Sequence, residues 1–143
     1  MTEPDRPTIR LMPSRDKRAR TGYPWVYSNE IDMNAQAKAL APGSLVTLLS
    51  DGGRPLGTAT FNPNVLIAAR LLSADPAAAI DEDFLSRRLG QALALRDRIF
   101  ADPFYRLVHA EADGLGGLIV DRFGDVVVAQ ITTAGMEKLC DVV

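Results

Sequence analysis

A segment without periodicity divides this sequence near its middle. Residues 73–79 read Ser-Ala-Asp-Pro-Ala-Ala-Ala, a composition that is typical of a linker. The chain has 143 residues. A division near its middle leaves two parts of about 70 residues, and a part of that length buries only a marginal hydrophobic core. We therefore predict two small domains, over residues 1–74 and 75–143, joined by a linker at about residues 73–80. A chain of this length is short for an enzyme that holds both a large cofactor and a macromolecular substrate.

The first part has the pattern of a small β-structure. Asp51-Gly52-Gly53 separates two short β-rich runs, which is a strong signal for a hairpin. Ser28 or Asn29 is a suitable N-cap for a brief helical turn that would end near Met33. We predict a small barrel or sandwich whose strands are Thr8–Met12, Ser44–Ser50, Pro55–Thr60 and Val65–Leu72.

The second part begins with a long amphipathic helix, predicted over Asp81–Phe100. Asp81 is the expected N-cap, and Ile80 and Leu85 occupy the hydrophobic-staple positions around it. Arg88 and Arg96 fall within its apolar face. A further amphipathic pattern begins at Met136, after three predicted strands over Tyr105–Ala110, Gly117–Phe123 and Val126–Thr132. The fold class predicted for the whole chain is α+β.

Composition excludes several classes of protein. The net charge of -2 conceals a basic stretch between Arg6 and Arg20 and an acidic second part. Cys140 is the only cysteine, so the chain has no internal disulfide and no cysteine-based zinc site, and we expect no metal. The N-terminus lacks the apolar segment of a signal peptide, and no apolar run is long enough to span a membrane. We expect a cytoplasmic protein without a membrane partner.

The familiar catalytic patterns are absent from the sequence. The segment Gly114-Leu-Gly116-Gly117 does not satisfy G-x-G-x-x-G and leads into a predicted strand rather than a helix. His109, the only histidine, could serve as a general base beside Glu111 and Asp113. We favour a structural histidine, with the two carboxylates neutralising Arg88 or Arg96, because charges on an apolar face need partners. Cys140 has no neighbours that would activate it, so we expect an inert thiol.

A signal for RNA binding lies near the N-terminus. The basic residues of positions 15–20 are followed directly by Tyr23, Trp25 and Tyr27. Cations that neutralise phosphates, next to aromatic rings that stack on bases, are typical of RNA recognition. The alternative is structural, because a tryptophan after proline is often a core anchor and a short charged run is often a solvated loop.

Several blocks of the sequence together form a familiar pattern. The blocks are Gly22-Tyr-Pro-Trp-Val-Tyr-Ser-Asn-Glu-Ile31, Pro42-Gly-Ser-Leu-Val46, Ile67-Ala-Ala-Arg-Leu-Leu72, Arg88-Leu-Gly-Gln-Ala92 with Arg96, and Tyr105-Arg-Leu-Val-His-Ala-Glu-Ala-Asp-Gly-Leu-Gly-Gly-Leu-Ile-Val-Asp-Arg-Phe-Gly124. They resemble the family of bacterial ribosomal RNA methyltransferases that use S-adenosylmethionine and form 5-methylcytosine in the large ribosomal subunit. Gly116 stands where this family usually has proline.

The resemblance implies an order of domains. A barrel-like PUA domain would bind RNA, a strand–strand–helix–strand–strand α+β domain would follow, and a Rossmann-like methyltransferase domain would come last. Only the first two would lie in this chain, so we expect it to be truncated before the third, which would hold S-adenosylmethionine and the catalytic cysteine. No catalytic, cofactor-binding or metal-binding residue is therefore assigned here. The residues expected to bind ribosomal RNA are Lys17, Arg18, Arg20, Trp25 and Arg54.

The expected function is RNA recognition within a ribosomal RNA methyltransferase, with this chain inactive by itself. One alternative is a stand-alone PUA-type RNA-binding protein without catalytic activity. A second is a protein-interaction module that docks a partner through its acidic second part, and a third is a hydrolase built on His109. The sequence leaves the target nucleotide and the oligomeric state open.

Overall fold

The computed structural model describes residues 5–141 and divides after Ala79 into two compact units. The first unit contains a five-stranded sheet, two short helices and a 3-10 turn over Ser28–Glu30. The helices are α1 (Lys17–Arg20) and α2 (Ala35–Ala39). The strands are β1 (Thr8–Arg10), β2 (Trp25–Tyr27), β3 (Ser44–Leu49), β4 (Pro55–Phe61) and β5 (Ile67–Ser73).

The sheet of the first unit curls, and the segments that follow its two outer strands are joined by one bridge. Its order is β1-β3-β4-β5-β2, with β1 parallel to β3 and the other pairs antiparallel. Just after β1, Leu11 forms a bridge with Ile31. The backbone N–H of Met12 donates to the carbonyl of Glu30 at 2.8 Å in the same place. This seam encloses a core that includes Ile9, Val46, Leu48 and Phe61, and the predicted barrel-like first domain is a curled half-barrel.

The second unit is an open sheet with helices. Its elements are α3 (Glu82–Ile99), β6 (Phe104–His109), β7 (Leu118–Phe123), β8 (Val126–Ile131) and α4 (Ala134–Cys140). The three strands are antiparallel in the order β6-β7-β8. As predicted, Asp81 caps α3, because its Oδ1 accepts from the Phe84 N–H at 2.9 Å. A 3-10 turn over Ala110–Asp113 joins β6 to the segment before β7.

The α+β class is confirmed, and the predicted hairpins and long helix are present. The element order of residues 80–141 is helix, three strands, helix, which differs from the strand–strand–helix–strand–strand order that the resemblance implied. The short strand β2 and the helices α1 and α2 were missed. The brief helical turn ends at Glu30, and its N-cap is Tyr27 rather than Ser28 or Asn29. Among residues 5–141, no helix is long and apolar enough to cross a membrane.

Candidate nucleic-acid interface

The basic residues of positions 17–20 lie on the short helix α1. Ala19 is the buried residue of this helix, so the side chains of Lys17 and Arg20 point away from the core. Arg20 is solvent-exposed, and its Nη1 lies 3.7 Å from Asp16 Oδ2, a loose surface ion pair. Lys17 and Arg20 therefore present positive charge at the surface of the first unit.

Arg18 is engaged differently from its two neighbours on α1. Its Nη2 group donates to both carboxylate oxygens of Glu30, at 2.8 Å and 2.7 Å. Glu30 is buried, and its Oε2 also accepts from the backbone N–H of Tyr27 at 2.9 Å. A buried carboxylate needs such partners, so Glu30 holds Arg18 in place. The charge of Arg18 is thus largely neutralised within the protein.

Two aromatic side chains contact Arg18, and a third contacts one of these two. The guanidinium carbon of Arg18 lies 4.9 Å from the centre of the Tyr23 ring and 5.2 Å from that of Tyr27. These distances are those of cation–π contacts. The Tyr23 and Trp25 rings meet edge to face, with centres 6.4 Å apart. We refer to Arg18, Tyr23, Trp25, Tyr27 and Glu30 as the Arg18 cluster.

The structure adds one residue to this surface that sequence reasoning missed. Arg70 of β5 is directly opposite Trp25 of β2 in the strand register, so both side chains lie on one face of the sheet. Arg70 is half-buried, and its Nη1 donates to the carbonyl of Ile67 at 3.2 Å. The sequence does contain a signal for Arg70, because it is the single charged residue in the otherwise apolar run Val65–Leu72. A charge inside a strand of this kind indicates a specific partner or a binding role.

Arg54 lies apart from α1, at the hairpin between β3 and β4. Its backbone is fixed by Ser50, whose N–H donates to the Arg54 carbonyl at 2.8 Å and whose Oγ accepts from the Arg54 N–H at 3.0 Å. The side chain of Arg54 is exposed. Arg10 lies at the same hairpin, because its Nη1 donates to the carbonyl of Asp51 at 2.9 Å. The hairpin is thus a second basic spot on the first unit.

In the second unit, the acidic turn after β6 has a structural role. Asp113 forms an ion pair with Arg96 of α3 through two hydrogen bonds, as the sequence predicted. It also accepts from the backbone N–H of His109 at 2.7 Å. Burial acts to raise the pKa of the Asp113 carboxyl, but these hydrogen bonds and the charge of Arg96 outweigh it, so the pKa lies below its ordinary value. The bond to His109 is made by its backbone N–H and not by its imidazole, so it does not form the base–carboxylate pair that a hydrolase built on His109 would need.

The glycine-rich segment before β7 does not fit a nucleotide cofactor. Gly114 and Gly117 have positive φ angles of 69° and 91°. A Cβ atom at Gly117 would lie 2.1 Å from Thr133 Oγ1, and one at Gly114 would lie 2.6 Å from Arg88 Nη1. The space beside these glycines is therefore filled by the protein's own side chains. The packed backbone at these two glycines differs from the open glycine loop of a dinucleotide-binding site.

The surroundings of Cys140 disfavour a reactive thiol. Burial raises the pKa of the Cys140 thiol, and the charge of Asp141 adds to this effect. A raised pKa disfavours the thiolate, which is the nucleophilic form. Across the part of the chain that the structure describes, no group of three His, Cys, Asp or Glu side chains could hold a metal ion.

Comparison with known proteins agrees with the resemblance identified from the sequence. Residues 9–74 match the family of PUA-like domains. The chain is 37% identical over 136 residues to the ribosomal RNA large subunit methyltransferase I of Shewanella denitrificans, covering 93% of this chain and 34% of that protein. It is 39% identical over 139 residues to the enzyme of the same name from Aliivibrio fischeri, covering 94% of this chain and 34% of the relative.

Solved structures show the same fold. "A putative sam-dependent methyltransferase from Streptococcus mutans" superposes with a TM-score of 0.78 over 94% of this chain and 35% of that protein, at 18% identity. "A putative methyltransferase complexed with SAH" gives the same values. The chain thus spans about a third of the length of the relatives it matches.

Proposed function

We propose that this chain is the RNA-recognition portion of a large-subunit ribosomal RNA methyltransferase. Two similarities support this proposal, since residues 9–74 match the PUA-like domain family and nearly the whole chain is similar to enzymes of that name. The complete protein transfers a methyl group from S-adenosylmethionine to a base of large-subunit ribosomal RNA, and that base is a cytosine. The cofactor binds outside this chain, and residues 1–143 are inactive by themselves. The proposed location is the cytoplasm.

One observation carries the proposal. On the PUA-like domain, exposed Lys17 and Arg20 adjoin a set of aromatic side chains held by the Arg18–Glu30 pair. This arrangement offers RNA both positive charge and flat ring surfaces. The RNA-binding residues proposed are Lys17, Arg18, Arg20, Trp25 and Arg54, of which Lys17, Arg20 and Arg54 contact phosphates.

The physical role of these residues is to hold the RNA while chemistry takes place elsewhere in the protein. Lysine and arginine side chains bind phosphates and release counterions, so binding weakens as salt rises. A ring carbon of a base is accessible only when the base leaves its stack. The first unit therefore contributes affinity and orientation for the RNA, and the methyl transfer belongs to the cofactor-binding part of the complete protein.

The proposal is tested by measuring the affinity of this chain for a large-subunit ribosomal RNA fragment at several salt concentrations. The double variant Lys17→Ala/Arg20→Ala removes two exposed positive charges, and we expect the slope of log affinity against log salt to fall by about 1–2. A matched control is Arg87→Ala/Arg98→Ala, which removes two exposed charges from α3 in the second unit. Equal losses in the two double variants would show that binding depends on net charge and would overturn the proposed site.

The inactivity of the chain has its own experiment. Residues 1–143 are incubated with ribosomal RNA and S-adenosylmethionine that carries a labelled methyl group, and we expect no label in the RNA. The complete protein is the positive control, and the labelled nucleoside that it yields should be 5-methylcytidine. Label transferred by the short chain, or found on another base, contradicts the corresponding part of the proposal.

A further inference from the structure

The Arg18 cluster has a more specific geometry than a basic patch. We propose that Tyr23 is a stacking site for an unpaired nucleobase, and that Arg18 and Glu30 are positioning residues that hold its ring. This inference rests on the proposed RNA binding and deepens it. It gives Arg18 a specific role, which is to support the aromatic surface rather than to contact a phosphate.

Glu30, which positions Arg18, is itself held where the half-barrel is joined by the Leu11–Ile31 bridge. The carbonyl of Glu30 accepts from the N–H of Met12 at 2.8 Å, and the next residue, Ile31, bridges to Leu11. The backbone of Glu30 is thus fixed where the sheet closes. Its carboxylate is buried and accepts from Tyr27 N–H and from Arg18. Because Glu30 is fixed to the sheet, its hydrogen bonds also fix the guanidinium group of Arg18.

Arg18 in turn fixes Tyr23. Its guanidinium lies 4.9 Å from the centre of the Tyr23 ring, and its carbonyl accepts from the Tyr23 backbone N–H at 2.9 Å. Trp25 contacts the same ring edge to face. Tyr23 nevertheless keeps 40% of its surface exposed. An exposed ring that is already ordered loses little entropy when a ligand packs on it.

The chemistry of the exposed ring selects an unpaired base. A base inside a duplex is covered on both faces by its neighbours, whereas a bulged or looped base presents a free face for stacking. Lys17 and Arg20 are exposed on the helix that carries Arg18, so the phosphates that flank such a base meet positive charge. The ligand proposed for Tyr23 is therefore a single unpaired nucleotide within structured RNA.

The experiment compares two RNA hairpins that differ only by one bulged nucleotide. Trp25 is the only tryptophan of the chain and its ring centre is 6.4 Å from that of Tyr23, so its fluorescence reports binding at this site. We expect Tyr23→Leu to weaken binding of the bulged hairpin by about tenfold and to leave binding of the fully paired hairpin unchanged. Tyr23→Phe retains the ring and should bind as the unmodified protein does.

Two results separate this inference from the proposed function. If the unmodified chain binds neither hairpin, the RNA-binding function itself fails. If it binds both and Tyr23→Leu weakens both equally or neither, the stacking site is overturned while RNA binding stands. Arg18→Lys keeps the charge but loses the planar group over the ring. We expect it to weaken only the bulged hairpin and to leave the salt slope unchanged, whereas a phosphate-binding role for Arg18 predicts an effect on both hairpins.

Discussion

The sheet of the first unit curls into a half-barrel whose outer edges are linked by a bridge, whereas the sheet of the second unit leaves the edge at β8 open. In the first, β1 and β2 are the outer strands, and the Leu11–Ile31 bridge joins the chain next to them. In the second, β8 pairs with β7 alone among the strands of residues 5–141, and all six of its residues are exposed. An apolar cleft of about 610 Å³ lies between α3, the sheet and α4.

This difference decides what holds each unit together. Closure lets the first unit bury a set of side chains completely, among them Val46, Leu48 and Phe61. The second unit buries fewer, and it adds an ion pair between α3 and the turn after β6, where the Arg96 and Asp113 side chains are 13% and 7% exposed. Complete burial of apolar side chains is therefore more extensive in the first unit. Both units contain an ion pair, and that of the second is the more enclosed, since Arg18 in the first is 43% exposed.

The largest expected effect is in the closed core. Phe61 is 1% exposed at the end of β4, so Phe61→Ala should destabilise the first unit by about 4 kcal/mol through lost burial and a cavity. Phe104 of β6 is 65% exposed, and Phe104→Ala should change the second unit by less than about 0.5 kcal/mol. Native-state hydrogen exchange measures each unit separately. Similar losses from the two substitutions would contradict the burial of Phe61 in the core of the first unit and the exposure of Phe104 on the second.

The polar contact in the second unit is tested by removing Asp113. Asp113→Ala leaves Arg96 without its partner in a largely enclosed position, and we expect a loss of about 2 kcal/mol, below the cost of breaking a fully buried pair. Asp121→Ala is the control, since it breaks the exposed pair with Arg106 and removes the same charge. In urea unfolding, the second unit of Asp113→Ala should have a clearly lower free energy of unfolding than that of Asp121→Ala. The reverse order would contradict the role given to Asp113.

The same ion pair gives the second unit a predictable response to acid. The pKa of Asp113 in the folded chain lies below the ordinary value of about 3.9. The folded state therefore binds fewer protons there than the unfolded state, so the pair's stabilisation is complete above that ordinary value. It is lost as pH falls through the lower pKa of the folded form. Asp113→Asn should remove this component, and unfolding curves measured between neutral pH and pH 2 would show whether the acid sensitivity decreases.

The elements that could be predicted from the sequence depend on nearby residues. The cap at Asp81, the hairpin at Gly52–Gly53 and the pairing of Asp113 with Arg96 follow from local preferences or from a charge that needs a partner on its own face. The long apolar run before residue 73 likewise forms β5. At each of these positions one local physical preference dominates, so the local structure can be predicted from the sequence of this chain alone.

The candidate site was less predictable because it depends on closure of the sheet. Nothing near Glu30 in the sequence indicates that its carboxylate is buried, since the seam between Leu11 and Ile31 creates that burial. The engagement of Arg18 follows from Glu30, and the placement of Arg70 opposite Trp25 follows from the pairing of β2 with β5. Three-residue strands such as β1 and β2 are set by tertiary contacts rather than by their own propensities.

The open edge of β8 leads us to expect that copies of this chain associate with one another. An exposed strand without charged residues is a template for pairing with a second chain, and Val126-Val-Val-Ala-Gln-Ile131 has this character. Val128 lies opposite Asp121 in the register, on the sheet face away from the cleft-lining Val127. Val128→Lys should therefore reduce self-association at high protein concentration, as measured by sedimentation or light scattering, without disturbing the cleft.

A matched substitution in the first unit tests whether the edge is responsible. Leu66, in the loop before β5, is also exposed and apolar, and Leu66→Lys adds the same charge to the same chain. We expect this variant to associate as the unmodified protein does. If both lysine variants reduce association equally, net charge rather than the edge of β8 controls it.

The smallest effect concerns the helix beside the cleft. Gly90 lies within α3, and a Cβ atom built there would meet no other atom within 4 Å. Gly90→Ala should stabilise the second unit by about 0.8 kcal/mol, because alanine loses less backbone entropy in a helix. Gly117→Ala is the contrasting control, since its Cβ would collide with Thr133 and its φ of 91° disfavours alanine. Thermal unfolding should move in opposite directions for the two variants. A loss of stability in Gly90→Ala would mean that the cleft is narrower at α3 than its volume indicates, and the contrast between a filled first unit and an open second unit would weaken accordingly.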